Sequence, residues 1–378
     1  LITSFDRIVV RAPNWLGDIV MAMPAVAAIR RHFPDAALTI AAPAPFAAFC
    51  QALPGVEAVT PLEGRGVRAM GSHVAALRAG RFDLAILLTN SFITAFEAQR
   101  AGIPARWGVR RDLRGPLLTR AVARPGKAAK ERRGAEAARG DEGQEQGRAT
   151  EQGGQVPATH HARYYLALLE AMDIPAPMTF SPLSLAEAPR EAAQTMLVER
   201  GWTSTAPLVA LAPGAAYGGA KRWPATHAAD AIRALQVRGV RTVLVGAGAD
   251  RDAARAIESA LAAAGGGGAS APINLVGETS LAQLMAVLSW CRLVLANDSG
   301  AMHVAAAVGR PVVAVFGPTN EAATAPLGPH AIVRHDVWCR PCLLRECPLD
   351  HACMQGVTGA DVVRAAEAWL ERPEGETA

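Results

Sequence analysis

Hydrophobic positions along this chain gather in short unbroken runs, and each run is followed by a turn and then a stretch of helical periodicity. The clearest case is residues 293–318, LVLANDSGAMHVAAAVGRPVVAVFGP. An apolar run over 292–296 predicts a buried strand, and Asn297-Asp298-Ser299-Gly300 a polar turn. Residues 301–308 predict a helix, Gly309-Arg310-Pro311 a second turn, and 312–316 a second buried strand. Continuous apolar strands belong to a parallel sheet covered on both faces, and such sheets bind ligands at the strand carboxyl ends.

The same alternation recurs through the chain. Residues 7–11 (RIVVR) predict a strand, 12–18 a loop, and the positions up to about 31 a helix that Pro24 kinks or restarts. Further strands are predicted over 38–42, 56–60 and 83–88, then 208–212 and 241–246, and helices over 160–172 and 359–371. Prolines 175, 177, 182 and 189 punctuate a linker. The expected fold class is α/β, with two doubly wound, Rossmann-like parallel-sheet domains facing across a cleft. The first spans residues 1–180 and the second 190–358, with a closing helix and tail over 359–378. Residues 126–155 contain no Val, Ile, Leu, Met, Phe, Trp or Tyr and are expected to be a disordered insertion. Gly265 to Gly268 reads as a flexible loop tip.

Composition narrows the function classes. With 378 residues, 51% hydrophobic and 19% charged, the chain has ample material for two cores. It shows no membrane-span run and no secretory leader pattern, so the expectation is a cytoplasmic protein. A net charge of +4 does not suggest nucleic acid. The charge is uneven, however: Arg100, Arg106, Arg110, Arg111, Arg114, Arg120 and Arg124 stand against one acid, Asp112. Such a cluster is either a solvated face or a site for an anionic partner.

Three strand-to-helix corners carry candidate chemistry. In the first, Gly17 permits a tight turn and Asp18 opens a helix, as a cap or as a base. In the second, Pro213-Gly214-Ala215-Ala216-Tyr217-Gly218-Gly219 lets backbone amides approach an anion, with Lys221 and Arg222 supplying charge. In the third, Asp298 or Ser299 caps a helix whose first amides suit a phosphate, and His303 lies one turn in, within reach of that anion or on a solvated face. The run Gly246-Ala247-Gly248 lacks the third glycine of a dinucleotide fingerprint. Cys339, Cys342, Cys347 and Cys353 form C-x2-C-x4-C-x5-C, suited to a structural zinc, with reduced thiols or a facultative disulfide as the alternative.

Taken together, Arg11-Ala12-Pro13-Asn14-Trp15-Leu16-Gly17-Asp18, Pro213-Gly214 with Lys221-Arg222-Trp223-Pro224, Asn297-Asp298-Ser299-Gly300 with His303, and Phe316-Gly317-Pro318-Thr319 resemble the bacterial lipopolysaccharide heptosyltransferases. The cysteine run with Arg345-Glu346-Cys347-Pro348-Leu349 resembles the second-acting members of that family. The resemblance implies a GT-B fold and inverting transfer of heptose without a catalytic metal. It implies ADP-L-glycero-D-manno-heptose as donor and a lipid A-Kdo-heptose acceptor, met at the cytoplasmic face of the inner membrane by peripheral contact. Asp18 is then the base and Lys221 the diphosphate ligand. Gly214, Arg222, Asp250, Asp298, Ser299, Gly300 and His303 surround the donor, and Asn14, Arg110 and Arg111 the acceptor. Three readings remain beside this one: the first-acting heptosyltransferase, a GT-B sugar-nucleotide 2-epimerase, and a nucleotide-sugar-binding protein without catalysis.

Overall fold

The computed structural model describes residues 5–64, 66–125, 157, 159–263 and 271–371. The expectations for 126–155 and 265–268 lie outside the described residues. Apart from Pro157, the described residues divide into two compact units, one ending at Ser181 and the other beginning at Pro182.

The first unit is built on strands β1 (Arg7–Arg11), β2 (Ala37–Pro43), β3 (Ala58–Leu62), β4 (Leu84–Leu87), β5 (Ala105–Val109) and β6 (Arg120–Val122), in the order β3-β2-β1-β4-β5-β6. Every adjacent pair is parallel, with Val9 of β1 between Thr39 and Ala85. Because both faces are covered, Ile8, Val9, Val10 and all of β4 are buried, which is why these strands read as unbroken apolar runs.

The second unit repeats the plan with β7 (Leu208–Ala212), β8 (Arg241–Leu244), β9 (Ile273–Asn274), β10 (Leu293–Asn297), β11 (Val312–Phe316) and β12 (His330–Arg334). Its order is β12-β11-β10-β7-β8-β9, again all parallel. Counted from its own first strand, this is the same doubly wound order. The helix Gly359–Leu370 buries Val362, Val363, Ala366 and Trp369 in the core of this unit, beside Ile232, Leu235 and Val313. In both sheets the order reverses at one place, between β1 and β4 and between β7 and β10. The crevice of such a sheet opens there, at the carboxyl ends of the strands.

Pro24 restarts the helix predicted up to residue 31, one of the two expectations for it: there are two helices, Leu16–Met21 and Met23–His32, with Pro24 in the first turn of the second, where its missing N–H costs nothing. Other local expectations need correction. The strand expected over 56–60 is β3, two residues later, because the Val56 N–H closes a turn onto Leu53 O. Strands β5, β6, β9 and β12 were not expected at all.

The arginine cluster explains part of that miss. Arg114 is fully buried: its Nε donates to Val109 O at 2.8 Å, and its Nη1 to Thr89 O at 2.7 Å and Ser91 O at 3.1 Å. It therefore pins the ends of β4 and β5 together, and Gly108 leaves the room its guanidinium fills. Neither a solvated face nor an anionic partner describes it. Arg114→Ala strands three carbonyl acceptors and is expected to cost about 3 kcal/mol, read as a lower urea midpoint at unchanged slope. A loss within experimental error would remove the pin from the account.

Candidate active site

At the first switch point β1 runs into the loop Ala12 to Trp15 and then into the helix Leu16–Met21. Arg11 is buried and stiffens this loop: its Nη1 donates to Ala12 O at 2.7 Å and its Nη2 to Asn14 Oδ1 at 3.1 Å. Asn14 is thereby held as part of the turn. The helix is entered at Trp15, whose side chain makes no capping hydrogen bond, and Asp18 stands in its first turn. The Asp18 side chain is 31% exposed, and His161 Nδ1 stands 3.9 Å from Asp18 Oδ1. Burial raises the Asp18 carboxyl above its usual range, and the neighbouring His161 opposes that shift. His161 begins the helix His161–Glu170 and was not singled out in the sequence, because only the fold brings it to Asp18. Arg110 and Arg111 follow β5 at the same edge of the sheet. Both are exposed, and Arg111 Nε pairs with Asp112 Oδ1 at 3.2 Å.

At the second switch point the glycine-rich loop after β7 meets the turn after β10. Lys221 Nζ lies 2.6 Å from Asp298 Oδ2, with side chains only 11% and 6% exposed. Thr319 Oγ1 donates to the same Asp298 oxygen at 2.7 Å. The Lys221 ammonium also stands 4.7 Å from the centre of the Tyr217 ring. Arg222, its neighbour, is exposed, so of the two cations the loop turns Lys221 inward.

Asn297 ties the two segments together, donating through Nδ2 to Pro213 O at 2.9 Å and Gly214 O at 3.3 Å and accepting from Trp223 N–H at 3.3 Å. The helix Gly300–Ala307 starts at Ser299 without a side-chain cap. Neither Asp298 nor Ser299 caps it, contrary to expectation: Asp298 is engaged by Lys221 and Thr319, and Ser299 Oγ is buried without a hydrogen-bond partner. The amides of the first turn, Gly300 among them, thus keep their dipole for an anion. His303 is buried, which removes the solvated-face reading.

Asp250 closes the turn after β8, its Oδ2 accepting from Ala247 N–H at 2.9 Å. Its carboxylate fills the space a side chain at Gly214 would need, so Gly214 and Asp250 pack together at the base of this corner.

Cys339, Cys342, Cys347 and Cys353 line one cavity of about 550 Å³ with Trp338, Pro318 and Ala220. Four thiols suit zinc as a donor set, but a tetrathiolate site is a closed tetrahedron with sulfurs about 2.3 Å from the metal. Among the described residues no group of three or more His, Cys, Asp or Glu is placed to hold a metal ion, and all six cysteines are free thiols. The expectation of a structural zinc is therefore not supported.

Residues 149–353 match the model of glycosyltransferase family 9 (heptosyltransferase). The chain is 32% identical over 336 residues to lipopolysaccharide heptosyltransferase 2 of Salmonella typhimurium, covering 86% of this chain and 87% of that one. It is 30% identical over 338 residues to lipopolysaccharide heptosyltransferase 2 of Escherichia coli K12, with the same coverage. Among solved structures it resembles E. coli ADP-heptose LPS heptosyltransferase II, with a TM-score of 0.73 and 27% identity over 96% of this chain and 98% of that one. Two parallel α/β sheets of this order, with that likeness, make the fold GT-B. On the length and extent of these matches, the chain belongs to glycosyltransferase family 9.

Proposed function

We propose that the chain transfers L-glycero-D-manno-heptose from ADP-heptose to a lipid A-Kdo-heptose acceptor, with inversion at the anomeric carbon. The observation that carries this reading is the likeness, across 86% of the chain, to relatives named heptosyltransferase 2. The site chemistry supports it. A hydroxyl attacking an anomeric carbon must lose a proton, and Asp18, whose raised pKa strengthens it as a base, accepts that proton in this reading. A departing ADP develops negative charge on its diphosphate. Lys221 and the uncapped helix start at Ser299 and Gly300 supply positive charge to it. Asp298 holds Lys221 and orients heptose hydroxyls, His303 approaches a phosphate, and Asp250 with Gly214 lines the nucleoside end. Arg222, exposed beside Lys221, meets the outer edge of the donor. Arg110 and Arg111 attract the anionic inner core, with Asn14 fixing the loop beneath the acceptor.

Nothing in this reading asks for a catalytic metal, since protein groups carry the charge of the leaving diphosphate. Transfer is expected to persist after dialysis against chelator, and its loss with recovery on adding a divalent cation would correct this. The acceptor's lipid implies peripheral contact with the membrane that holds it. No helix among the described residues is long and apolar enough to cross a bilayer.

The deciding experiment incubates purified protein with ADP-heptose and lipid A-Kdo-heptose, following ADP release and the mass of the acceptor. Gain of one heptose is expected. Transfer only to the heptose-free acceptor would reassign the chain to the first addition, and no transfer to either would overturn the reading.

A further inference from the structure

The segment Leu343 to Glu346, between Cys342 and Cys347, lies along the glycine-rich loop that carries Lys221. Tyr217 Oη donates to Leu343 O at 2.8 Å, and Ala220 N–H donates to Arg345 O at 2.9 Å. Glu346 Oε1 accepts from Gly219 N–H at 3.0 Å. The Arg345 guanidinium stands 5.3 Å from the Tyr217 ring, the ring that also receives the Lys221 ammonium at 4.7 Å. The glycines at 218 and 219 are what permit this approach. A side chain at Gly218 would collide with the Arg345 carbonyl, and a Cβ at Gly219 would fall 2.6 Å from Glu346 Oε2. The loop bearing Lys221 is thus tied at three points, Tyr217, Gly219 and Ala220, to a distant segment, and it has no regular structure beyond one short turn of its own, Gly219–Lys221.

A loop rich in glycine loses more conformational freedom on ordering than any other, so its geometry must be imposed from outside. An anion ligand has to be held within fractions of an ångström of its working position. We propose that Glu346 is a positioning residue for Lys221: its carboxylate holds the Gly219 amide and so fixes the loop from which Lys221 reaches Asp298 and the donor diphosphate. This rests on the reading of Lys221 given above. It assigns a catalytic-loop function to the cysteine-rich segment, which the fold otherwise leaves as a surface excursion between β12 and the helix Ala352–Gln355.

Action through Lys221 has a distinguishing signature. Glu346→Ala is expected to lower kcat on the order of tenfold, the worth of one charge-assisted hydrogen bond, with the acceptor KM unchanged. Glu346→Gln retains an acceptor oxygen and is expected to stay within about threefold of the parent. In a Lys221→Gln background, which keeps a donor toward Asp298, Glu346→Ala should cost nothing further, because the group it positions is gone. Amide exchange at Gly219 and Ala220 in the ligand-free protein should quicken in Glu346→Ala and not in Glu346→Gln.

Equal losses in both backgrounds would make Glu346 a merely structural residue and overturn the proposal. Tighter ADP binding by Glu346→Ala, read by calorimetry, would also overturn it, since the carboxylate would then be an occupant the donor must displace. If the parent protein transfers no heptose, the functional reading fails by itself. Amide exchange and ADP affinity still judge whether Glu346 holds the loop.

Discussion

Asp18→Asn is expected to lower the turnover number by about 10²- to 10⁴-fold, the usual contribution of a general base, while ADP-heptose affinity stays near that of the parent. Asparagine keeps the size of the side chain and can still accept a hydrogen bond in the first turn of the helix Leu16–Met21, so the change tests the base and not the cap. What disappears, on the proposed reading, is the proton acceptor. The loss belongs in kcat more than in donor KM, since Asp18 lies in the first unit whereas Lys221 and Asp298 lie in the second. The stability effect has the opposite sign. Burial raises the Asp18 carboxyl pKa in the folded state, so the folded protein binds that proton more tightly than the unfolded chain does. Keeping Asp18 ionised at neutral pH therefore opposes folding, and this penalty fades as pH falls through the raised folded-state pKa and is gone below the unfolded value of about 3.9. Asp18→Asn should melt at the same or a higher temperature than the parent at pH 7, with any advantage gone at pH 3. In the parent, turnover should fall on the acidic side as the raised pKa is crossed. Turnover of Asp18→Asn within a few-fold of the parent would sink the catalytic role.

The strands legible in the sequence are mostly those buried on both faces. β1, β2, β4, β7, β8, β10 and β11 have buried, largely apolar centres, and β3, more exposed, was expected two residues early. β5 is Ala105–Val109, ARWGV, and does not look like such a run. Arg106 folds back onto backbone carbonyls at Leu117 and Ile103, and Gly108 makes way for Arg114. Those reasons are tertiary and leave no periodicity behind. β9 has only two residues, too few for any pattern, and β12 is a partly exposed edge.

The site divides in the same way. Asp18, Lys221, Asp298 and Ser299 were identifiable because corners of parallel sheets concentrate function and because their motifs resemble a family. Pairing is another matter. Lys221 and Asp298 are 77 positions apart, and nothing in spacing says that one carboxylate oxygen receives both Lys221 and Thr319. His161 carries no local signal, and the motifs that contain Tyr217 and Glu346 do not show their contacts: an exposed glutamate in a cysteine-rich loop reads as surface until its carboxylate is found on the Gly219 amide. The zinc expectation is not supported for a related reason. Four cysteines in sequence supply the donor chemistry, but tetrahedral closure is a property of the fold, and here the thiols line an open cavity.

Lys221→Ala is expected to reduce turnover by about 10²- to 10³-fold, by analogy with removal of one preorganised donor from a developing oxyanion, and Arg222→Ala by no more than a few-fold. Adjacent in sequence, the two cations differ in what surrounds them: Lys221 is turned in against Asp298 and Tyr217, while Arg222 is exposed. The single variant carries a second consequence. Asp298 is 6% exposed beside Lys221, and with Lys221 gone it keeps Thr319 as its side-chain donor. Breaking a buried pair from one side costs about 3–5 kcal/mol. Part of the activity loss in Lys221→Ala is therefore expected to come from a loosened fold, and a double variant separates the two effects. Lys221→Ala with Asp298→Asn removes the orphaned charge, so the melting temperature should recover most of its loss. The turnover number should not recover, because the cation that on the proposed reading meets the departing diphosphate is still missing. Recovery of turnover together with stability would make the pair a structural clamp. Collapse of turnover in Arg222→Ala with Lys221→Ala near the parent would transfer the diphosphate role to Arg222.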